Sequence, residues 1–258
     1  MSINSAVQWK QDLASWGIPD DILNQAPTSP WIHPPAMFTV PEEIPDSPSH
    51  SKAREILVGG DSILDIGCGG GIAAFAAVSQ GMHVIGVDHQ SEMLTMFASN
   101  AQARGLTHEE FLGDWPDLSD VTPEAQVVTC HHVAYNVPEI APFLEALNQH
   151  ATKRVVVEIP AMHPLSSLTS AWQHFWSLDR PTNPTASDLH AIACDLGFAA
   201  HIQQWESDFG RPQPFEDQVR HLRIRLCLDE SRDQEIADYL TNSPINRKRA
   251  LATIWWDK

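Results

Sequence analysis

Four of the five residues 67–71 are glycine, with Gly67, Gly69 and Gly71 in alternation, between an apolar β-rich run at 62–66 and an alanine-rich stretch, in the segment ILDIGCGGGIAAFAA. Positions without a side chain let the backbone turn sharply out of a strand and touch a ligand, and the helix start beyond offers unpaired N–H groups. A strand, a glycine turn and a helix in this order build an open parallel sheet, and the loop implies a nucleotide-type ligand. The dinucleotide fingerprint G-x-G-x-x-G asks for its third glycine at position 72, where this chain has Ile72. The G-x-G-x-G spacing therefore argues against NAD and FAD.

From residue 62 onward, short β-rich runs alternate with helical segments, the pattern of a parallel sheet covered by helices. Strands are expected at 62–66, 83–87, 109–112, 126–130, 154–159 and 199–205. Helices are expected at 72–80, 91–104, 138–148 and 186–196, with Gly81, Gly105 and Gly197 closing the first, second and last. Residues 215–228, FEDQVRHLRIRLCL, alternate enough for a strand. Phe215, Val219, Leu222 and Leu226 nevertheless recur at helical spacing, with arginines left for a solvated face, which favours a helix. A further helix at 233–240 and a last strand at 250–256 make 210–245 a helical insertion.

The first 50 residues hold eight of the 19 prolines and three of the nine tryptophans, without a sustained apolar period. Residues 1–48 read as an ordered, irregular arm packed on a domain spanning 49–258. Prolines lower the entropy lost on ordering, and Trp9, Trp16 and Trp31 can each bury a large area. Short helices are expected at 6–15 and at 49–59, the second capped by Ser47 or Ser49 and stopped by Gly59-Gly60.

With 33 acidic against 16 basic residues the formal charge is −17, which repels phosphate backbones and argues against nucleic acid as a partner. The only dense basic run is Arg247-Lys248-Arg249. No apolar stretch approaches the roughly 18 residues needed to cross a bilayer. MSINSAVQWK lacks the regions of a secretory signal and the C-terminus lacks a lipidation box, so a soluble cytoplasmic protein with no membrane partner is expected. Cys68, Cys130, Cys194 and Cys227 form no C-x-x-C pair and are expected to be buried, reduced thiols. The 13 histidines make no H-x-x-x-H or H-E-x-x-H pattern, which disfavours a metal.

Asp88 ends the second strand 17 residues after Gly71, where a carboxylate either accepts from both ribose hydroxyls of a nucleoside or caps the helix that follows. Gly113-Asp114-Trp115 closes the third strand at the edge where an adenine ring would lie. Asp114 can accept from its amino group, and Trp115 offers a backbone N–H and an apolar face.

On these residues the chain resembles the class I S-adenosylmethionine-dependent methyltransferases. The segments VGGDSILDIGCGGGIAA, VIGVDHQSEML, LGDWPDL and QVVTCHHVAYNV carry the likeness, over roughly residues 50–206. The resemblance implies an α/β, Rossmann-like sheet of seven strands in order 3-2-1-4-5-7-6, with strand 7 antiparallel and helices on both faces. It also implies S-adenosylmethionine as cofactor. Asp65, Gly67, Cys68, Gly69 and Gly71 would hold its amino-acid end, Asp88 its ribose with His89 and Met93 alongside, and Asp114 with Trp115 its adenine. His131 would lie close to the sulfonium. A narrower likeness, to an actinobacterial group of methyltransferases, rests on HHVAYNVP and HPLSSL.

A sulfonium is a strong electrophile, so the protein must align the acceptor and exclude water, and a base matters only where the acceptor has a proton to lose. His131 and His132 stand at the end of the fourth strand, where an open sheet places its ligands, and either moves a proton or orients substrate. Tyr135 and Asn136 in the same loop, His163 and Trp172 after the fifth strand, and Trp31 and His33 in the arm compose a candidate acceptor pocket. For Trp172 and the arm residues, core packing is the equal alternative. Glu158, at the end of the fifth strand, faces the acceptor or caps a loop. The expected function is methyl transfer to a small molecule by a monomer or homodimer; the alternative is a non-catalytic sensor or scaffold that binds the same cofactor.

Overall fold

The computed structural model describes residues 4–31, 39–208, 214–243 and 248–258. The β-rich runs join into one sheet of β1 (Ser62–Ile66), β2 (His83–Asp88), β3 (Thr107–Leu112), β4 (Ala125–His131), β5 (Ala151–Pro160), β6 (His201–Asp208) and β7 (Lys248–Asp257). Their order is β3-β2-β1-β4-β5-β7-β6, and every pairing is parallel except those of β7, which runs antiparallel between β5 and β6. This is the sheet the resemblance implied. The chain reverses its direction of growth between β1 and β4, which opens a crevice outside the carboxyl ends of those strands.

The helices are α1 (Ser5–Ala14), α2 (Asp20–Leu23), α3 (Pro48–Arg54), α4 (Ile72–Ala77), α5 (Ser91–Ala103), α6 (Ile140–His150), α7 (Thr169–Trp176), α8 (Ala186–Asp195), α9 (Phe215–Arg225) and α10 (Asp233–Asn242). Alternation along the strands divides the core. Ile63, Val127 and Val156 point to the face where Ala53 of α3, Phe75 of α4 and Phe97 of α5 pack. Leu64, Val128 and Val155 point to the other, against Trp9 of α1, Phe143 of α6 and Leu189 of α8. A third cluster off the sheet joins Ile22 of α2, Trp172 of α7, Leu222 of α9 and Ile236 of α10.

Local chemistry sets the helix ends. Ser47 caps α3 by accepting from the His50 N–H, and Pro48 supplies the preset first turn. This helix stops at Arg54 rather than reaching Gly59. α4 stops at Ala77, short of the expected Gln80, because Val78 is extended (φ −92°, ψ 159°); Gly81 then turns the chain into β2 instead of closing the helix. α8 opens with a reciprocal capping box between Thr185 and Asp188. Residues 215–225 are helical, as the 3.6-residue period of Val219, Leu222 and Leu226 required, although Phe215 is exposed. The arginine face of α9 is not wholly solvated: Arg225 is buried and donates to the Pro30 carbonyl at 2.6 Å.

In the arm, Trp9 and Trp16 are buried, whereas Trp31, for which packing and lid were equal alternatives, is 47% exposed. Cys68, Cys130 and Cys227 are buried free thiols, whereas Cys194 is exposed on α8. Among the described residues no helix is long and apolar enough to cross a membrane.

Candidate active site

Beyond β1 the chain passes through three left-handed glycines, Gly67 (φ 67°), Gly69 (φ 51°) and Gly71 (φ 98°). A Cβ on Gly67 would fall on the Val133 side chain, and one on Gly71 on the Phe75 ring, so both conformation and space demand glycine. The loop is fixed by hydrogen bonds: the Gly67 and Cys68 N–H groups donate to the Val87 carbonyl at 2.8 and 3.0 Å, and Asn100 Nδ2 donates to the Gly70 carbonyl at 3.0 Å.

Asp88 ties this loop to its surroundings. Its Oδ2 accepts from the Gly69 N–H and its Oδ1 from the Gln90 N–H, each at 2.9 Å, while its carbonyl accepts from Gly113 at 3.0 Å. The N-cap of α5 is Gln90, so Asp88 is not that cap. Each carboxylate oxygen keeps acceptor capacity beyond its one backbone partner.

Asp65 is buried beneath the same turn. Thr129 Oγ1 donates to its Oδ1 at 2.9 Å, but its Oδ2 has no partner. Burial pushes this carboxyl up to about 7. A buried carboxylate oxygen without a donor is costly, and an ammonium group would satisfy it. The residues therefore fit the amino-acid end of S-adenosylmethionine. Cys68 and Met93 are buried nearby in sequence, and the exposed His89 places Nδ1 3.8 Å from Asp88 Oδ1. Past Gly113, Asp114 is exposed; the Trp115 ring meets His150 edge-on at 4.7 Å, with its Nε1 buried and unpartnered.

The second group of polar residues lies at the ends of β4 and β5. His131 closes β4 opposite Glu158, and its ring stacks on His50 of α3 with centroids 5.7 Å apart. Its Nε2 is buried without a partner, and burial lowers the imidazole to about 3, so His131 is neutral near pH 7 and a poor base. His132 follows in a left-handed conformation (φ 63°), with its ring Nε2 3.1 Å from Glu158 Oε1. Burial pushes the Glu158 carboxyl up, but the neighbouring His131 and His132 hold it below the ordinary carboxylate range. Ser47 Oγ donates to Glu158 Oε2 at 3.4 Å. Burial also lowers His50, whose Nδ1 lies 3.1 Å from the Pro45 carbonyl. Among the described residues no group of three His, Cys, Asp or Glu is placed to hold a metal ion.

The arm meets the candidate acceptor residues directly. Trp9 stacks on Tyr135 at 5.6 Å and donates Nε1 to the Val137 carbonyl at 2.9 Å. Trp16 stacks on His163 at 4.1 Å, beneath Arg180, which donates to the Gly17 and Trp16 carbonyls. Burial and the Arg180 charge lower His163 to about 4. Tyr135 donates its hydroxyl to the Pro160 carbonyl at 2.9 Å. Trp172 is fully buried in the third cluster and is core rather than pocket wall. Asn136 and Trp31 are exposed, and His33 lies outside the described residues.

His50, Thr129 and Asn100 were not singled out by sequence reasoning, and Ser47 only as a helix cap. Each meets a partner on another element of the fold.

Residues 63–153 match the methyltransferase domain family. The chain is 28% identical over 210 residues to an uncharacterized protein of Haemophilus influenzae, covering 76% of each. It is 37% identical over 95 residues to a ubiquinone biosynthesis O-methyltransferase of Aeromonas salmonicida, covering 34% of this chain and 37% of that one. Among solved structures it is similar to the YcgJ protein of Bacillus subtilis, with a TM-score of 0.55 at 18% identity over 81% of this chain and 97% of the other. Sheet order and glycine turn give the chain the fold of the class I S-adenosylmethionine-dependent methyltransferases, and its residues 63–153 match a methyltransferase domain.

Proposed function

We propose that the chain transfers a methyl group to a small-molecule acceptor in the crevice outside the carboxyl ends of β4 and β5. The observation that carries this reading is the orphaned Oδ2 of Asp65 beneath three left-handed glycines, a cradle for a ligand with a positive amino group. When bound, the cofactor supplies a sulfonium-activated methyl group. Asp65 then takes the ammonium, Asp88 accepts from the ribose hydroxyls, and Asp114 with Trp115 faces the adenine. His131 offers its unpartnered Nε2 near the reacting centre.

Tyr135, Asn136 and His163 form the acceptor side, covered by the arm of residues 1–48, and suit a flat or amphipathic molecule. Similarity to ubiquinone biosynthesis O-methyltransferases supports a small-molecule acceptor. A cytoplasmic monomer or homodimer, and kinship with the actinobacterial group through HHVAYNVP and HPLSSL, belong to the same proposal.

Incubating the purified protein with S-adenosylmethionine and a bacterial small-molecule extract tests it. Release of S-adenosylhomocysteine matched by a product heavier by one methyl group is expected. Binding without any such release would favour the sensor or scaffold.

A further inference from the structure

The loop after β3 carries Asp114 and Trp115, and little holds it to the rest of the protein. Residues 114–122 turn on their own backbone: the Leu118 N–H donates to the Asp114 carbonyl at 3.3 Å and the Thr122 N–H to the Leu118 carbonyl at 3.0 Å. Among the described residues, the one hydrogen bond that ties 114–122 to another part of the chain comes from the His150 ring, whose Nε2 lies 2.9 Å from the Ser119 carbonyl oxygen. The Trp115 ring meets the same imidazole edge-on at 4.7 Å. His150 is the buried last residue of α6, whose Phe143, Leu144 and Leu147 pack in the core and whose chain runs straight into β5 at Ala151. A fixed helix end reaches across to a loop that has no other such tie.

The second ring nitrogen is engaged as well, with Nδ1 2.9 Å from the Ala146 carbonyl oxygen. A neutral imidazole has one N–H and one lone pair, so it donates to one of two carbonyls and turns its lone pair on the other. The imidazolium donates to both. Its place at the C-terminal end of α6 favours that cation. His150 makes no ion pair among the described residues, and the charged side chains on the two elements it joins, Asp114, Asp117 and Asp120 on the loop and Glu145 on α6, are exposed acids. We propose that His150 is a positioning residue for the cofactor: as an imidazolium it staples the loop of residues 114–122 to α6 in the shape that receives the adenine, so that affinity falls as the ring loses its proton. This rests on the reading that sets Asp114 and Trp115 at the adenine.

Methylthioadenosine is the probe, because it keeps the adenine and ribose but has no ammonium group to respond to Asp65. Its calorimetric affinity is expected to be about 3–10-fold higher near pH 5 than near pH 8, the worth of one hydrogen bond over the range in which histidine changes charge. In H150Q, which keeps one neutral donor, that difference should vanish. Titration in buffers of different ionisation enthalpy should show proton uptake on binding by the unaltered protein and none by H150Q. A merely structural His150 would lower affinity alike at every pH. Nitrogen-15 spectra of the unaltered protein with methylthioadenosine at about pH 5 need no variant that folds, and protons on both His150 ring nitrogens are expected. A lone pair on either nitrogen there, or one pH profile shared by the two proteins, would overturn the proposal. Calorimetry with S-adenosylhomocysteine separates the two failures. Normal binding of it, with a methylthioadenosine profile that H150Q leaves unchanged, sinks only this inference, while no binding of it at any pH sinks the methyltransferase reading itself.

Discussion

The β1–β3 half of the crevice and the β4–β5 half are built by different means. On the first side the candidate site groups come from short loops, 67–71, 88–90 and 113–115, cross-linked by backbone N–H groups and the Asp88 carboxylate. On the second side they come from distant elements: α1 sets Trp9 against Tyr135, α3 sets His50 against His131, and β5 sets Glu158 against His132. The first side is a shape of the backbone, the second a product of packing. The first depends on positions where conformation and space demand glycine, the second on side chains brought together by packing.

Replacing Trp9 would strain that contrast most. Trp9→Ala is expected to cost about 3–5 kcal/mol, as for other buried aromatics cut to alanine, measured by urea unfolding. A loss under about 1 kcal/mol would mean that the arm is not part of the core that supports Tyr135. Next, Gly71→Val forces a branched residue into φ 98° and onto the Phe75 ring. Backbone strain of about 1–2 kcal/mol and overpacking of about 1–3 kcal/mol should add in a denaturation curve. Calorimetric cofactor binding should vanish with it; normal binding would show that the turn tolerates side chains after all.

Smaller, and confined to the first half, is the effect of Asp88→Ala. Cofactor affinity should fall by about 1.5–3 kcal/mol, the range for lost hydrogen bonds to a charged group, and wild-type affinity would remove Asp88 from the site. The last prediction concerns Asp65 in the free protein and is read as a slope against pH rather than as a single loss. Its folded pKa, raised by burial to about 7 from 3.8, means that the folded chain keeps a proton the unfolded chain releases. Its contribution to stability is therefore complete below about pH 4 and is lost as pH rises through about 7, on the order of 1 kcal/mol per pH unit. Asp65→Asn should flatten that slope while weakening cofactor binding at pH 8. An unchanged slope would mean that Asp65 is not the buried acid described.

The same contrast decides what could be read in the sequence. The glycine turn, Asp88 at a strand end and Gly113-Asp114-Trp115 are local signals, and their spacing survives translation into structure almost unaltered. The full strand order came from the resemblance, since alternation of strands and helices alone does not number the sheet. Element ends were harder: nothing in IAAFAAVSQG announces that Val78 leaves the helix. The acceptor half was only half visible. His131, His132 and Tyr135 were marked by their place after β4, but Ser47 and His50 lie more than 75 residues from the groups they meet. A tryptophan that covers a histidine 147 residues away, as Trp16 covers His163, leaves no period to detect. For the same reason Trp172 and Trp31 each read equally as pocket wall and as packing, whereas Trp172 is core and Trp31 is exposed.

The identity of the ligand that fits the glycine turn and Asp65 decides the function. Calorimetric titration of the purified protein with S-adenosylmethionine and S-adenosylhomocysteine, with NADH as control, measures it directly. Saturable binding of the first two, weakened in Asp88→Ala, with no heat from NADH, is the expected result. Binding of NADH alone would contradict the reading of the glycine turn and the function built on it.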